Sequence, residues 1–195
     1  MRVTKDHYVT HSRLASFLSE KGNFNAAIYH YNKAISIKPQ PLLSCAENQL
    51  ARGNAYAGLL MYQLAIKDYD EAIRIKPDFV NAYFTRGTAY GKLLGQYDRA
   101  LDDFNKTIQL KADHVDAYNN RGIVYTKLNM LDKAVDDFTK AILLRPDYRN
   151  AYENRAAIYL NQGNVTAGCF DAKKACELGN CAVLHSSVRN GLCRK

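Results

Sequence analysis

One pattern of small, aromatic and proline residues returns along this chain at a step of 34 or 35 positions. The pattern is clearest in the three middle copies, looser in the first copy and incomplete in the fifth. A period of this length is too long for one helix or strand, and it indicates a supersecondary unit that is repeated and stacked. Because one such unit cannot bury its own apolar face, the chain is restricted to an array of similar neighbouring units.

Within each copy the apolar positions recur at intervals of three and four, which is typical of two amphipathic helices. In the fourth copy, Gly122 and Tyr125 fall on the first helix, and Ala134 and Phe138 fall on the second. Small residues let two helix backbones approach closely, while the aromatic residue fills the wider space one turn further on. We therefore expect a bulky side chain at Gly122 to be strongly destabilising.

The pattern resembles that of the tetratricopeptide repeat family, and the resemblance extends over most of the chain. It implies an all-α fold, namely a right-handed α-solenoid of about five helix pairs. The chain is long enough for one continuous core and no linker divides it, so we expect a single domain over residues 1–195. The predicted repeats are residues 8–41, 46–79, 80–114, 115–148 and 149–182, and residues 183–195 are predicted to form a C-terminal cap.

The chain departs from the family pattern locally. Leu94 has the position of a one-residue insertion in the third repeat, and Leu42 to Cys45 separate the first two repeats. In the fifth repeat Gly168 and Ala172 stand where larger residues are usual, which leaves a shallow face. We expect the capping helix to cover this face with Val183, Leu184, Val188 and Leu192.

Turn residues agree with the helix-pair interpretation. Proline has no amide proton and ends a helix at little cost, whereas aspartate can accept the free amide protons of an opening turn. Prolines are expected just after the second helices, and aspartates are expected to cap the first helices that follow. These residues are Pro39, Pro77 and Pro146, and Asp78, Asp113 and Asp147.

Charged residues also follow the repeat. An arginine holds one position in four copies, and an aspartate holds another about sixteen residues later. The arginines are Arg52, Arg86, Arg121 and Arg155, and the aspartates are Asp68, Asp103, Asp137 and Asp171. Both are missing together from the first copy, which has Leu14 and His30. We predict a ladder of partly buried ion pairs between the two helices of a repeat; the alternative is arginines scattered on a solvated face.

The net charge of +8 raises the question of a nucleic-acid partner. A surface that binds single strands combines an uninterrupted basic strip with exposed aromatic residues. Here the basic residues alternate with Asp and Glu, and the aromatic residues occupy core positions. Composition therefore disfavours nucleic acid and favours a protein or peptide partner of acidic character.

Location is predicted only by default. No apolar run approaches the length of a membrane span, so membrane insertion is not expected. Residues Met1 to Asp6 lack the basic-then-apolar leader of exported proteins, which makes the cytoplasm the default expectation.

Four of the five cysteines lie near the C-terminus, at Cys169, Cys176, Cys181 and Cys193. A zinc site is disfavoured because no close C-x-x-C pair is present. Two bridges, Cys176 to Cys181 and Cys169 to Cys193, are one alternative, and buried free thiols are the other. The default cytoplasmic location favours free thiols, while bridges would indicate an exported compartment.

No catalytic constellation and no cofactor motif is found. The glycines occupy packing or turn positions, and the carboxylates recur with the repeat, which indicates a scaffold rather than acid–base chemistry. His7 and His11 have i, i+4 spacing, but they are interpreted as an incidental pair rather than metal ligands. We therefore predict a non-enzymatic protein without a metal or cofactor.

The resemblance implies that the first helix of each repeat forms the inner, concave wall. The residues that it places on this wall are rich in asparagine, whose amide suits the backbone of an extended peptide. They are Arg13, Ser16, Leu50, Ala51, Asn54, Asn81, Phe84, Thr85, Thr88, Asn119, Asn120, Lys127, Asn150, Glu153, Asn154 and Asn161. Asn120 and Asn154, with Thr85 in register, resemble the asparagine ladder of O-linked N-acetylglucosamine transferase, and Leu50 and Phe84 are candidate apolar anchors. The carboxylate clamp of chaperone-binding relatives is not matched, because Ser12, Ser16, Ala51, Asn81 and Thr85 occupy its positions.

These features predict a non-enzymatic scaffold that binds an extended peptide or partner segment in a concave groove. The first alternative is a structural building block that assembles with copies of itself. The second is a regulatory subunit of an enzyme complex. A wall whose polar residues are merely solvated is the simplest competing interpretation.

Overall fold

The computed structural model describes residues 2–37 and 43–194, and the regular structure in this part of the chain is helical throughout. The chain divides into two compact units, residues 1–110 and residues 111–195. The first unit contains α1 (Arg2–Glu20), α2 (Phe24–Ile37), α3 (Leu43–Gly58), α4 (Tyr62–Ile75), α5 (Val80–Thr88) and α6 (Tyr97–Leu110). The second unit contains α7 (Val115–Lys127), α8 (Leu131–Leu144), α9 (Arg149–Asn161), α10 (Val165–Glu177) and α11 (Ala182–Arg189).

The predicted all-α architecture of helix pairs with a final capping helix is confirmed. Each predicted repeat contributes two consecutive helices, and α11 follows the last pair. Pro39 and Leu42 lie outside the described residues. The single-domain organisation stays a prediction.

Helix pairs approach closely where the first helix carries glycine. A Cβ atom placed on Gly53 would lie 2.6 Å from the ring of Tyr69, and one placed on Gly122 would lie 2.7 Å from the ring of Phe138. The glycine therefore faces the aromatic ring of the second helix, and larger side chains are excluded because neither the ring nor the backbone behind it can move away freely. Ala65 and Ala134 are fully buried in the same contacts.

The predicted insertion at Leu94 is absorbed inside the third helix pair. Helix α5 continues into a π-helical turn, Ala89–Leu93, in which the amide of Leu94 donates to the carbonyl of Ala89 at 3.2 Å. A π-helical turn accommodates one extra residue. The packing of the pair is kept, because a Cβ on Gly87 would still lie 3.1 Å from the ring of Phe104.

The predicted capping aspartates are wrong by one position. Helices α5, α7 and α9 begin after Phe79, His114 and Tyr148, and of these three side chains only His114 caps its helix, by accepting from the amide of Ala117 at 3.2 Å. Tyr148 instead packs against the core and donates to Asp116 Oδ1 at 2.7 Å. The aromatic residue holds the start of the helix through packing, so the preceding aspartate is left in the turn.

The predicted ion-pair ladder is confirmed in all four repeats that carry it. In each pair the arginine donates from Nε and Nη2 to both oxygens of its aspartate, with nitrogen–oxygen distances of 2.6–2.9 Å. The pairs are Arg52–Asp68, Arg86–Asp103, Arg121–Asp137 and Arg155–Asp171. The aspartate side chains are only 1–8% exposed, so this bidentate geometry is formed away from solvent.

A third donor of the arginine reaches the preceding repeat. Nη1 of Arg52 donates to Asn32 Oδ1 at 2.6 Å, and Nη1 of Arg155 donates to Thr139 Oγ1 at 2.8 Å. Arg86 pairs in the same way with Asp70. These acceptors share one repeat position on the second helix, so each of these arginines joins two helices of its own repeat to a helix of its neighbour.

Burial raises the pKa of the Asp103 and Asp137 carboxyls, and the paired Arg86 and Arg121 guanidinium groups oppose that rise. Burying the ladder charges therefore costs much desolvation free energy, and the net contribution of a complete pair to the stability of the fold is small. Removing one partner leaves the other charge buried without compensation.

We expect Asp137→Leu or Arg121→Met alone to lower the free energy of unfolding by about 3–5 kcal/mol, and the double variant to cost clearly less than the sum. Urea unfolding followed by circular dichroism measures all three. The exposed pair Lys174–Glu177 is the control, and its two charges are expected to show no measurable coupling. Strictly additive losses at Arg121 and Asp137 would show that the pair is not coupled.

The C-terminal cap is held largely by covalent bonds. Ser187 is the buried residue of α11, whereas Val183, Leu184 and Val188 are half-buried and Leu192 is 42% exposed. Disulfides join Cys169 on α10 to Cys193 and Cys176 to Cys181 across the turn before α11. The free thiols favoured by the default location are thus not what the structure holds, because the tail folds back onto α10 and brings both pairs together.

Loss of the Cys169–Cys193 bridge is expected to release the cap. A bridge with a sequence separation of 24 stabilises by about 3 kcal/mol, and α11 buries too little to replace it. We expect Cys169→Ser with Cys193→Ser to speed amide hydrogen exchange across residues 182–194, while Cys45→Ser, at the buried cysteine outside both disulfides, leaves that exchange unchanged. Unaltered protection of α11 in the double variant would contradict this account.

Candidate partner-binding site

In the first unit, the predicted wall residues lie on α3 and α5 and differ in how accessible they are. Leu50 is only 9% exposed and packs into the core, so it is not an open anchor. Asn54 is exposed and accepts from the hydroxyl of Tyr69 at 2.9 Å. Asn81 is also exposed, at the start of α5. The asparagines, rather than Leu50, present polar groups on this face.

The remaining wall residues of α5 make contacts within the unit. The hydroxyl of Thr85 donates to the carbonyl of Asn81 at 2.8 Å, and the hydroxyl of Thr88 donates to the carbonyl of Phe84 at 2.9 Å. The half-buried ring of Phe84 lies 6.1 Å from the ring of Phe104. The threonine hydroxyls are therefore engaged with their own helix, and Phe84 presents only part of its ring.

In the second unit, three wall asparagines form a connected network between α7 and α9. Asn154 Nδ2 donates to Asn119 Oδ1 at 3.0 Å, and Asn119 Nδ2 donates to Asn120 Oδ1 at 3.3 Å. Asn119 is only 4% exposed, so it acts as the buried support for Asn120 and Asn154. The network holds side chains of successive repeats in register. Of the other predicted wall residues here, Glu153 is half-buried and lies 3.7 Å from Arg149 Nε, and three are exposed: Lys127, Asn150 and Asn161.

An open pocket of about 680 Å³ lies between α1 and α3, the first helices of the first two repeats. Sequence reasoning placed three of its residues on the wall, Arg13, Ser16 and Ala51, but did not identify the pocket. The lining residues are Tyr8, Val9, Ser12, Arg13, Ser16, Phe17, Glu20, Ser44, Glu47, Asn48 and Ala51.

Asn48 is the centre of the polar network in this pocket. Its Nδ2 donates to the Tyr8 hydroxyl at 2.6 Å, to Ser12 Oγ at 2.9 Å and to the Ser44 carbonyl at 3.2 Å. The Tyr8 hydroxyl in turn donates to the Ser44 carbonyl at 2.8 Å, and burial raises the pKa of Tyr8, which keeps this proton in place. These contacts tie α1 to α3 across about forty residues of sequence.

A departure from the repeat marks this site in the sequence. The position of Asn48 is held in the later repeats by Ala82, Ala117 and Ala151, all of which are fully buried. An asparagine in an alanine position of a packed helix is costly unless its amide is bonded. This signal could have directed attention to the first two repeats.

The first repeat has no ladder pair, and a contact between two histidines joins its two helices. His30 occupies the aspartate position, and its Nδ1 lies 2.9 Å from Nδ1 of His11, with the rings stacked at 5.1 Å between centroids. One nitrogen must donate and the other accept, so at least one ring is neutral. Burial, the neighbouring His30 and other nearby cationic groups lower the pKa of His11. His11 thus pairs with His30 on α2 rather than with His7.

Residues 2–37 and 43–194 contain neither a metal-ligand cluster nor a membrane-spanning helix. No three His, Cys, Asp or Glu side chains of these residues are arranged to hold a metal ion. None of the helices in these two ranges combines the length and apolar character that a bilayer crossing requires.

Comparison with known families decides the classification. Tetratricopeptide repeat models match residues 10–41 and 115–148, and a TPR repeat model matches residues 53–93 and 93–129. The chain belongs to the tetratricopeptide repeat family. The two matches of the TPR repeat model meet at residue 93, in the π-helical turn of this TPR protein. The one-residue insertion there lengthens the repeat from 34 to 35 residues.

Solved TPR structures share the fold. A crystal structure of MamA is 26% identical, covers 84% of this chain and 93% of its own, and has a TM-score of 0.75. YrrB, described as a TPR protein with an unusual peptide-binding site, is 23% identical, with coverages of 91% and 90% and a TM-score of 0.73. The pilF protein of Pseudomonas aeruginosa is 16% identical, with coverages of 91% and 78% and a TM-score of 0.80. The last two similarities show the fold alone.

The histidine pair makes stability depend on pH. Because the pKa of His11 is lowered on folding, the folded state binds fewer protons, and stability is lost as pH falls below about 6.5, the unfolded value. We expect His11→Gln to reduce this loss, measured as the shift of the urea midpoint between neutral and mildly acidic pH. His185→Gln, at an exposed histidine on α11, is the control and should leave the slope unchanged. Equal slopes in the wild type and His11→Gln would refute the assignment.

Proposed function

We propose that this TPR protein is a non-enzymatic scaffold that binds an extended segment of a partner protein on the wall formed by the first helices of its repeats. The observation that carries the proposal is the asparagine network of α7 and α9. Asn119 is buried and supports Asn120 and Asn154, so the carboxamides of two repeats are held in fixed register. A solvated surface has no need of such preorganisation, whereas a peptide-binding surface gains affinity from it.

The chemistry of the network suits a peptide backbone. A carboxamide offers a donor and an acceptor, as the peptide group does, and it recognises the main chain with little dependence on side chains. Oδ1 of the half-buried Asn154 accepts from no residue among those described. It is available to a backbone N–H of a ligand.

The charge of the chain favours a partner segment with acidic residues. The net charge of +8 raises the encounter rate with such segments through long-range attraction, and the effect weakens as salt rises. The fold similarity to YrrB, whose description includes a peptide-binding site, is consistent with this class of partner.

A selection from a phage-displayed library of short random peptides tests the proposal. We expect peptides selected on the wild-type protein to bind the variant Asn120→Ala with Asn154→Ala about tenfold more weakly, since each lost hydrogen bond contributes about 0.5–1.5 kcal/mol. Fluorescence anisotropy with the labelled peptides measures the affinities. The matched control is Asn25→Ala, which removes an exposed carboxamide from the second helix α2.

The alternatives give different outcomes. A wall variant that binds every selected peptide as tightly as the wild type would move the binding surface elsewhere. Selection of no peptide, together with concentration-dependent growth in sedimentation, would favour the self-assembling building block. Circular dichroism of the wall variant and of Asn25→Ala must show that both are folded. A change in peptide binding then cannot be attributed to unfolding.

A further inference from the structure

The pocket between α1 and α3 is lined by a carboxamide oxygen that pairs with no donor of the described residues. Asn48 as a whole is 5% exposed, and the hydrogen bonds of its amide all leave from Nδ2. Its Oδ1 is not fully buried, so it is open to a donor that enters the pocket. The equivalent residues in the later repeats are alanine and offer no such acceptor.

Charges around the pocket select the kind of donor. Glu20 and Glu47 line it and are exposed, and neither makes an ion pair with any residue that the structure describes. Arg13 is the cationic residue of the lining and is likewise without an ion pair in this part of the chain. Two carboxylates and a carboxamide oxygen against one guanidinium make the pocket rich in acceptors, although the chain as a whole is basic.

The apolar part of the lining fits an aliphatic stem that ends in a cation. Phe17 is 55% exposed, and Val9 and Ala51 lie beside it on the lining. The face of the Phe17 ring is already within reach of one ammonium group, since Lys21 Nζ lies 5.7 Å from its centroid. An aromatic face and methyl groups pack against methylenes, while the charged end stays close to the carboxylates.

We propose that the α1–α3 pocket receives a lysine or arginine side chain of a partner protein, with its charged end donating to Asn48 Oδ1 near Glu47. This side chain would be a basic anchor in the first unit, whereas the asparagine network belongs to the second unit. The inference therefore goes beyond the proposed function.

Small probes test the pocket without any knowledge of the partner. N-acetyl-arginine methylamide and N-acetyl-lysine methylamide are titrated into the full chain, and the side-chain amide signals of Asn48 are followed by nuclear magnetic resonance. We expect saturable shifts with weak, about millimolar affinity for both probes. The norleucine and glutamate analogues should leave these signals unmoved. Equal responses to norleucine, or no response to the basic probes, would overturn the inference.

Variants separate the pocket from general charge effects. Asn48→Ala, which installs the residue of the later repeats, is expected to weaken the basic probes at least about tenfold, as for a hydrogen bond to a charged group. Glu47→Gln is expected to weaken them about threefold. The control Glu71→Gln removes the same charge from α4, where Glu71 pairs with Arg74, and should change nothing. An Asn48→Ala protein that binds the probes as the wild type does would also overturn the inference.

Failure of the anchor and failure of the scaffold proposal are distinguishable. If the basic probes do not bind but selected peptides still depend on Asn120 and Asn154, only the anchor is wrong. If the basic probes bind at Asn48 and no selected peptide depends on the asparagine network, the pocket stands and the extended-segment proposal fails.

Discussion

In three described contacts, a half-buried arginine holds two helices of its own repeat against a helix of the one before it. Each arginine donates from Nε and Nη2 to an aspartate on the other helix of its pair, and from Nη1 to the second helix of the preceding repeat. The three arginines are Arg52, Arg86 and Arg155. A helix pair has no stability of its own, so an interaction that joins pairs sets their spacing and rotation. The small residues and aromatic rings can then pack in the same way from one repeat to the next. The planar guanidinium is suited to this role, because it presents several donors in fixed directions.

The first repeat lacks this arginine, and the structure is most individual there. Leu14 and His30 stand in the ladder positions, and α1 is joined to its neighbours by the His11–His30 contact and by the Asn48 network instead. Asn48 takes an alanine position and places a hydrogen-bonding side chain between α1 and α3. The repeated contacts form the framework of this protein, and the departures from the repeat give the first two repeats a polar network of their own.

Much of the fold followed from periodicity. The helix pairs, the ladder partners, the insertion at Leu94 and the capping helix were predictable, because each rests on a pattern that several copies show independently. The caps were not, since an aromatic residue such as Tyr148 holds the helix start by packing and displaces the aspartate. Of the candidate wall, the asparagines were placed correctly on the first helices. The sequence could not show that Leu50 is buried or that the threonine hydroxyls are engaged with their own helices, because period alone does not reveal side-chain rotation.

By itself the sequence determined that this chain is a series of helix pairs with small and aromatic contacts and paired charges, since these are properties of spacing within one repeat. Only the tertiary structure decided what meets across repeats. It joined Cys169 to Cys193, gave Arg52 its acceptor on α2, and brought Tyr8 and Ser12 to Asn48. Such contacts depend on how one helix is rotated against another, and that rotation is fixed by the packing of whole side chains.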